Sequence, residues 1–271
     1  MSDSSILPVR GRAVRPSGRH RRPVPSHLPP EAPALVLATL GDASGVTAEL
    51  AALIRGDNPQ IEVRLASLGE DGKELTSALE DAARERPEDS IAAVVVPLLT
   101  GPHPVADRLI AGAVASSGVS VTVTESLGPH PLLAEALHIR LAERELARAD
   151  RMRLLNVSSP VDAVVMVTVG GEGAAAEAQP TAVLLASRLT LPVLVASLDS
   201  APDVAGAAER LRGIGAQRIA LSPCLIGPEA DPGLASAAAA RIGADCADAL
   251  GAHGLVADLA ARAYGSVLAA G

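Results

Sequence analysis

The amino-acid sequence predicts an α/β protein of two tandem, similar βαβα domains with mainly parallel sheets, preceded by a disordered N-terminal tail. Three observations predict this fold. Short apolar runs alternate with helical patterns, this order occurs twice along the chain, and the same short motifs follow strands in both halves. The predicted boundaries are residues 1–33 for the tail, 34–155 for the first domain and 156–271 for the second.

The tail is predicted from its composition. Residues 1–33 contain seven prolines and six arginines, and they bury too little apolar surface to offset the entropy lost on ordering. With Asp3 and Glu31 the segment carries a formal charge of +4, whereas the rest of the chain, with 17 basic and 29 acidic side chains, carries −12. The acidic body argues against nucleic acid as a partner.

The remaining composition indicates packing by small side chains. The 271 residues are 48% apolar but include no Phe or Trp and a single tyrosine, Tyr264, which removes the aromatic platforms of single-stranded nucleic-acid binders. Cys224 and Cys246 are expected to be reduced packing residues. No apolar stretch approaches the roughly 20 residues of a membrane span, and the N-terminus lacks the apolar region of a secretory signal. We therefore expect a cytoplasmic protein that does not enter a membrane.

In the first domain, short runs rich in Val, Ile and Leu alternate with segments of helical spacing. Pro131 stands near the start of the last helix, where its missing N–H does no harm. Such alternation is typical of a parallel sheet with helices on both faces. The predicted strands are Ala34–Leu40, Ile61–Ala66, Ile91–Leu98 and Val119–Thr124, and the predicted helices are Val46–Arg55, Glu74–Arg86, Val105–Ser116 and Pro131–Arg148.

The second domain repeats this order. Its predicted strands are Ala163–Val169, Val193–Ser197 and Arg218–Ser222, and its predicted helices are Thr181–Thr190, Asp203–Gly213, Gly233–Arg241 and Leu255–Leu268.

Three pairs of motifs show the duplication residue by residue. They keep the same order and lie at the same strand ends, so the chain is interpreted as a duplicated unit. The pairs are Leu37-Ala-Thr-Leu-Gly41 with Met166-Val-Thr-Val-Gly170, Pro97-Leu-Leu-Thr-Gly-Pro-His103 with Pro223-Cys-Leu-Ile-Gly-Pro-Glu229, and Leu127-Gly-Pro-His130 with Leu250-Gly-Ala-His253.

His103 is the strongest candidate for chemistry. It follows a predicted strand, where parallel sheets bind ligands, and the prolines on either side of it stiffen its backbone. An imidazole with a free nitrogen is a good metal ligand or proton acceptor near neutral pH. Asp107 follows on the first turn of the next helix, in a position to orient the ring or accept a proton. The alternative is that His103 only caps a helix.

The other histidines and the cysteines are interpreted structurally. His130 and His253 precede the last helix of each half and are predicted to mark the helix starts. His138 is predicted to be exposed on a helix, and Cys224, at the end of a strand, to be buried and not nucleophilic. No cluster of histidine and cysteine has the spacing of a zinc site.

One segment matches part of a dinucleotide-binding fingerprint. Gly171-Glu-Gly-Ala-Ala-Ala176 fits G-x-G-x-x-A directly after a strand. The acidic residue expected about 20 positions later is absent, since Asp199 lies farther along the chain. We therefore expect no nucleotide cofactor.

The pattern as a whole resembles a known family. Val94-Val-Val-Pro-Leu-Leu99 followed by His103 and Asp107, and then Leu127-Gly-Pro-His-Pro-Leu-Leu-Ala-Glu-Ala-Leu137, are similar to sirohydrochlorin cobaltochelatases and ferrochelatases, the class II tetrapyrrole chelatases. In the two-domain form of that family the unit occurs twice, and residues 211–223 are similar to its degenerate second copy. The resemblance covers about residues 34–268.

The resemblance implies a lyase that inserts cobalt or iron, as substrate, into a sirohydrochlorin-like tetrapyrrole for cobalamin or siroheme biosynthesis. The family uses two histidines, at the end of the first strand and after the third. The second corresponds to His103, whereas Leu40 stands at the first, and Val169 at its counterpart in the second half. The duplication sets Glu229 opposite His103, so we predict that His103 and Glu229 bind the metal and act in catalysis.

Asp42 follows Gly41 and stands where the family's His-Gly-Ser motif has its serine. It is a further carboxylate candidate near the lost histidine. The alternative function is a catalytically degenerate family member that binds a tetrapyrrole, a metal or a partner protein without metal insertion. The sequence leaves open the metal, the macrocycle and the oligomeric state.

Overall fold

The fold is known from a computed structural model that describes residues 27–29, 31–87, 89–148, 159–231 and 233–270. Within these ranges the chain forms two four-stranded, all-parallel sheets with helices, which confirms the predicted fold class. The tail prediction for residues 1–26 and the predicted domain boundary at residues 155 and 156 lie outside the described residues. No helix in the described part of the chain is long and apolar enough to cross a membrane.

The first unit contains the first sheet. Its strands are β1 (Ala34–Thr39), β2 (Val63–Ser67), β3 (Ala93–Pro97) and β4 (Val121–Val123), and its helices are α1 (Val46–Asp57), α2 (Lys73–Arg84), α3 (Pro104–Ser117) and α4 (Pro131–Glu143). The strand order is β2-β1-β3-β4, so β1 is central. In the register, Leu35 pairs with Val63 of β2 and with Val94 of β3.

The second unit repeats this topology. Its strands are β5 (Ala163–Thr168), β6 (Val193–Ser197), β7 (Ile219–Pro223) and β8 (Asp245–Cys246), and its helices are α5 (Gly171–Glu177), α6 (Gln179–Leu189), α7 (Val204–Gly213), α8 (Leu234–Arg241) and α9 (Gly254–Leu268). The strand order β6-β5-β7-β8 matches that of the first sheet element by element.

Three features of these elements were not predicted. Helix α5 is a short Gly- and Ala-rich segment without apolar periodicity, and β8 has two residues, too few for an alternating pattern. Helix α4 ends before the predicted Arg148. It ends early because Glu145 adopts a left-handed φ of 57° and the Leu146 N–H turns back to the Leu141 carbonyl.

The last helix of each unit packs against the other unit. Helix α4 contacts β7 and α6 of the second unit, and α9 contacts β3 and α1 of the first. Arg140 of α4 donates hydrogen bonds from Nε and Nη2 to the Leu250 carbonyl at 3.1 and 2.7 Å. The Tyr264 hydroxyl of α9 donates to the Pro33 carbonyl at 2.7 Å. This exchange joins the two units into one folded body.

The two units therefore share a core. Because side chains alternate along a strand, each central strand faces two different cores. Leu35 and Leu37 of β1 and Val164 of β5 belong to one apolar cluster built by both units. Val36 faces a core formed by the first unit alone, and Val165 one formed by the second unit alone. The shared cluster depends on both halves of the chain.

The end of the predicted tail contacts this body. Leu28 packs against the shared core, and Arg86 donates from Nε to the Ala32 carbonyl at 2.9 Å.

Candidate functional site

Loops at the carboxyl ends of the strands meet between the units. Gly41 follows β1 and Gly170 follows β5, whereas Pro102 follows β3 and Pro228 follows β7. A Cβ atom on Gly41 would lie 2.5 Å from the Pro228 carbonyl oxygen, and one on Gly170 would lie 2.6 Å from the Pro102 carbonyl oxygen. The two contacts are equivalent with the units exchanged, as a pseudo-twofold relation between the halves requires.

The close approach at Gly41 leads to a stability prediction. Gly41→Ala places a methyl group inside van der Waals contact of a backbone carbonyl, so we expect the free energy of unfolding to fall by about 1–3 kcal/mol. The matched control is Gly56→Ala in α1, where a Cβ meets nothing within 4 Å and a gain of about 0.5–1 kcal/mol is expected. Urea unfolding followed by circular dichroism measures both. Equal effects of the two substitutions would contradict the tight contact.

A cavity of about 1160 Å³ lies beside these contacts, over the carboxyl end of the second sheet. The first unit contributes the loop after β1, together with His103 and Arg144. The second unit contributes the loop after β7, part of α8 and the segment after β8. The lining residues on which the following argument depends are Leu40, Asp42, His103, Arg144, Glu229 and Asp248.

His103 is both a helix cap and part of the cavity wall. Its Nδ1 accepts a hydrogen bond from the Ala106 N–H at 3.4 Å, at the start of α3. The corresponding bonds of His130 and His253 are shorter, at 3.1 and 3.0 Å. A Cβ on Gly170 would lie 3.3 Å from Cδ2 of His103, so the ring also borders the second unit. Among the described residues, none bonds Nε2.

The cap bond determines the tautomer of the neutral His103 ring. Because Nδ1 accepts an N–H, it is unprotonated, and Nε2 carries the proton. Binding of a metal ion by Nδ1 displaces the cap bond, and binding by Nε2 requires the proton to move to Nδ1, which also breaks it. At 3.4 Å the bond is at the weak end of the hydrogen-bond range, so releasing the ring costs little.

Glu229 lines the same cavity, but its carboxylate is held by its own loop. It accepts hydrogen bonds from the Ile226 N–H and, at 2.7 Å, from the Gly227 N–H. Burial raises the pKa of Glu229 above its ordinary value, although these backbone donors act in the opposite direction. The protonated form therefore persists to higher pH than in an exposed glutamate, and the ionised form is a stronger base.

The position of the expected first histidine also lies at the cavity. Leu40 lines it and offers no ligand atom. Asp42 lines it too, but its carboxylate accepts hydrogen bonds from the Ser44 hydroxyl at 2.6 Å and the Ser44 N–H at 2.9 Å. These bonds hold the pKa of Asp42 below its ordinary value. Across the described ranges, no three His, Cys, Asp or Glu side chains are grouped so that they could hold a metal ion.

The remaining predictions on histidine and cysteine are mostly confirmed. His130 and His253 cap α4 and α9, as predicted. Cys224 is buried, and burial raises the pKa of its thiol to about 12, so it is not a nucleophile. The prediction for His138 is wrong. It is 8% exposed and its Nε2 lies 2.7 Å from the Arg148 carbonyl, because the chain after α4 turns back over this face of the helix.

The segment with the dinucleotide-like motif has an internal anion partner. The Asp199 carboxylate accepts hydrogen bonds from the Gly170 N–H at 2.9 Å and the Gly171 N–H at 3.2 Å, at the start of α5. Burial tends to raise the pKa of Asp199, but hydrogen bonds from the Ser197 hydroxyl and these amides hold it below its ordinary value. A phosphate group would have to displace this carboxylate to bind here.

Sequence reasoning missed the residues that α8, β8 and the end of α4 bring to the cavity. Arg144, Asp245 and Asp248 line it, yet none belongs to a duplicated motif. Arg144 was assigned to the interior of a longer α4. The sequence signal closest to this site is the match of Gly41 with Gly170 and of Pro102 with Pro228 in the duplicated motifs. It indicates where the two halves meet, but it does not indicate on which side of that contact a cavity opens.

Comparison with known proteins gives one family match. Residues 38–144, which cover most of the first unit and include His103, match the family CbiX. No curated protein matches this chain.

Similar solved structures include periplasmic proteins of low identity. A periplasmic ribose ABC transporter from Conexibacter woesei is 15% identical over 78% of this chain and 70% of its own, with a TM-score of 0.36. A periplasmic binding protein from Burkholderia mallei is 12% identical over 80% and 60%, with a TM-score of 0.35. A fatty acid ABC transporter substrate-binding protein from Thermomonospora curvata is 17% identical over 81% and 57%, with a TM-score of 0.33. The chain thus spans less than two thirds of the last two proteins.

Proposed function

We propose that this chain, whose residues 38–144 match the family CbiX, is a chelatase that inserts a divalent metal ion, cobalt or iron, into a sirohydrochlorin-like tetrapyrrole in the cavity between its units. The observation that carries this proposal is the position of His103. It is the residue that corresponds to the family's histidine after the third strand, and it lines the cavity with Nε2 unbonded by any described residue.

The size of the cavity supports a macrocyclic substrate. Sites for small molecules usually have volumes of about 300–1,000 Å³. At about 1160 Å³ this cavity is above that range, and it opens between two units that each contribute side chains. It therefore has room for a tetrapyrrole, which is larger than most small ligands.

The chemistry requires one group that holds the metal ion and others that accept protons. Insertion replaces two pyrrole N–H protons by one divalent ion, so two protons leave for each metal that enters. An imidazole suits cobalt and iron, and His103 holds the incoming ion after its cap bond opens. Glu229 accepts one of the two protons, because burial raises its pKa and makes its carboxylate a stronger base, and the second proton passes to solvent water at the open side of the cavity.

A second candidate is binding of a tetrapyrrole or metal without insertion. One observation favours it: Leu40 occupies the place of the first histidine, and the carboxylate of Glu229 is already held by two amides of its own loop. A site of this kind has one unbonded ligand nitrogen where the family has two histidines.

The two candidates are separated by absorbance. The protein is incubated with metal-free sirohydrochlorin and Co²⁺ or Fe²⁺, and the loss of the free-base spectrum is followed against a reaction without protein. A chelatase accelerates this loss in proportion to protein concentration. A binding protein shifts the spectrum once, in a stoichiometric amount, and leaves the insertion rate at that of the reaction without protein.

A further inference from the structure

The cavity wall combines many acidic groups with a single fixed cation. Five carboxyl side chains line it, and Arg144 is the one arginine or lysine that does so among the described residues. The acidic residues are Asp42, Glu229, Asp231, Asp245 and Asp248. The lining is therefore strongly asymmetric in charge, with one positive position.

The Arg144 guanidinium is unpaired within the part of the chain that the structure describes. Among the described residues, none forms a hydrogen bond or an ion pair with its guanidinium, although Asp245 and Asp248 line the same cavity. The preceding arginine of the same helix differs: Arg140 bonds to the Leu250 carbonyl and to Glu143. An exposed guanidinium with five unused N–H donors is suited to bind a planar carboxylate in a bidentate manner.

The backbone holds Arg144 at this place. It is the C-cap residue of α4, and the next residue, Glu145, has the left-handed φ of 57° that ends the helix. Since α4 packs on the second unit, Arg144 belongs to the first unit in sequence but lies at the cavity next to β8. Its charge acts on Cys246, where it opposes the effect of burial on the thiol pKa.

We propose that Arg144 is the residue that binds a peripheral carboxylate of the macrocycle and so determines the orientation in which an acidic tetrapyrrole enters the cavity. This inference rests on the proposed function. The carboxylates of the wall repel the other acidic side chains of such a ligand, so these face solvent, and the edge beside Arg144 is the one attractive position for a carboxylate. Arg144 is thus a positioning residue and takes no part in proton transfer.

The test is a titration of metal-free sirohydrochlorin, followed by absorbance, at low and high salt. Four proteins are compared: wild type, Arg144→Ala, Arg144→Lys and Arg241→Ala. Arg241 lies on α8, which forms part of the wall, but does not line the cavity, so its substitution makes the same change in net charge. Melting temperatures check that all four proteins are folded.

The expected result is a Kd about tenfold higher for Arg144→Ala than for wild type, as loss of one charge-assisted hydrogen-bonded pair implies. Arg144→Lys should lie between them, since lysine keeps the charge but loses the bidentate geometry. Arg241→Ala should stay within about twofold of wild type, and the salt dependence should weaken in Arg144→Ala alone. Binding of Co²⁺ without macrocycle should be the same in all four.

Two results would overturn the inference in distinguishable ways. If wild type binds sirohydrochlorin and Arg144→Ala binds it equally well, the role of Arg144 is wrong while the proposed function stands. If wild type does not bind the macrocycle at all, the proposed function fails and the inference fails with it.

Discussion

A chain that ends at His253, and so lacks α9, is expected to lose the fold of the first unit as well as that of the second. Helix α9 packs on β3 and α1, and Leu259 and Tyr264 are fully buried in the shared core. Its loss uncovers the face of β3 that carries Val94 and Val96, which belong to the same apolar cluster. Each fully buried side chain of this size contributes about 1.5–3 kcal/mol, so losing Val256, Leu259 and Tyr264 removes about 4.5–9 kcal/mol, which is comparable with a total stability of about 5–15 kcal/mol.

Far-UV circular dichroism during urea titration measures this effect. A chain ending at Ala269 is the length control and should unfold like the full protein, because Ala270, the described residue that follows it, is exposed. Tyr264→Phe, which removes only the hydroxyl bonded to the Pro33 carbonyl, should lower the free energy of unfolding by about 1 kcal/mol. A cooperative transition with an unchanged midpoint in the chain without α9 would show that the first unit folds alone.

The strands and most helices could be predicted from the sequence because their signal is local. Val193–Ser197 is a strand with the predicted limits, since it is a short apolar run after Pro192. The exchange of α4 and α9 could not be predicted in this way. An amphipathic pattern shows that a helix buries one face, but the same apolar face of α4 fits either of two similar sheets. The choice between them depends on contacts far apart in the chain.

The candidate site was predictable where the duplication reached it. The matching motifs identify His103 and Glu229 as equivalent positions, and both line the cavity. The hydrogen bonds that occupy them were not predictable, because the amides of Ala106 and Gly227 are backbone groups without a sequence signal. Arg144 was missed because its role depends on where α4 ends, and a left-handed Glu145 is not a usual helix terminator.

Substitution of His103 is expected to have the largest effect on chemistry. His103→Asn keeps a side-chain acceptor for the Ala106 N–H, and asparagine is among the best helix caps, so the melting temperature should stay close to that of wild type. Without the imidazole, the insertion rate should fall by about 10²-fold or more, because the metal ion is no longer held in position for insertion. His103→Ala should show the same loss of rate and only a small further loss of stability, about 0.5 kcal/mol, because the cap bond that it removes is long.

The rates are measured from the loss of the free-base spectrum of sirohydrochlorin with Co²⁺, and stability from thermal unfolding. His130→Asn is the matched control, since His130 caps α4 by the same kind of bond but does not line the cavity. It should keep the wild-type insertion rate. Equal rates for wild type and His103→Asn would end the assignment of His103 as the metal-binding residue.

Leu40→His completes this experiment as a gain of function. Leu40 stands where the family has its first histidine, and it lines the same cavity as His103. Leu40 packs against the edge of the first unit's core but is partly exposed at this wall, so an imidazole can take its place, and the site then has two nitrogen ligands suited to cobalt or iron. We expect Co²⁺ affinity to rise at least about tenfold, equivalent to about 1.4 kcal/mol. The gain should disappear in Leu40→His combined with His103→Asn, because the two imidazoles act on one ion. If the double variant kept the full gain, the new histidine would bind metal independently of His103, and the two positions would not form one site.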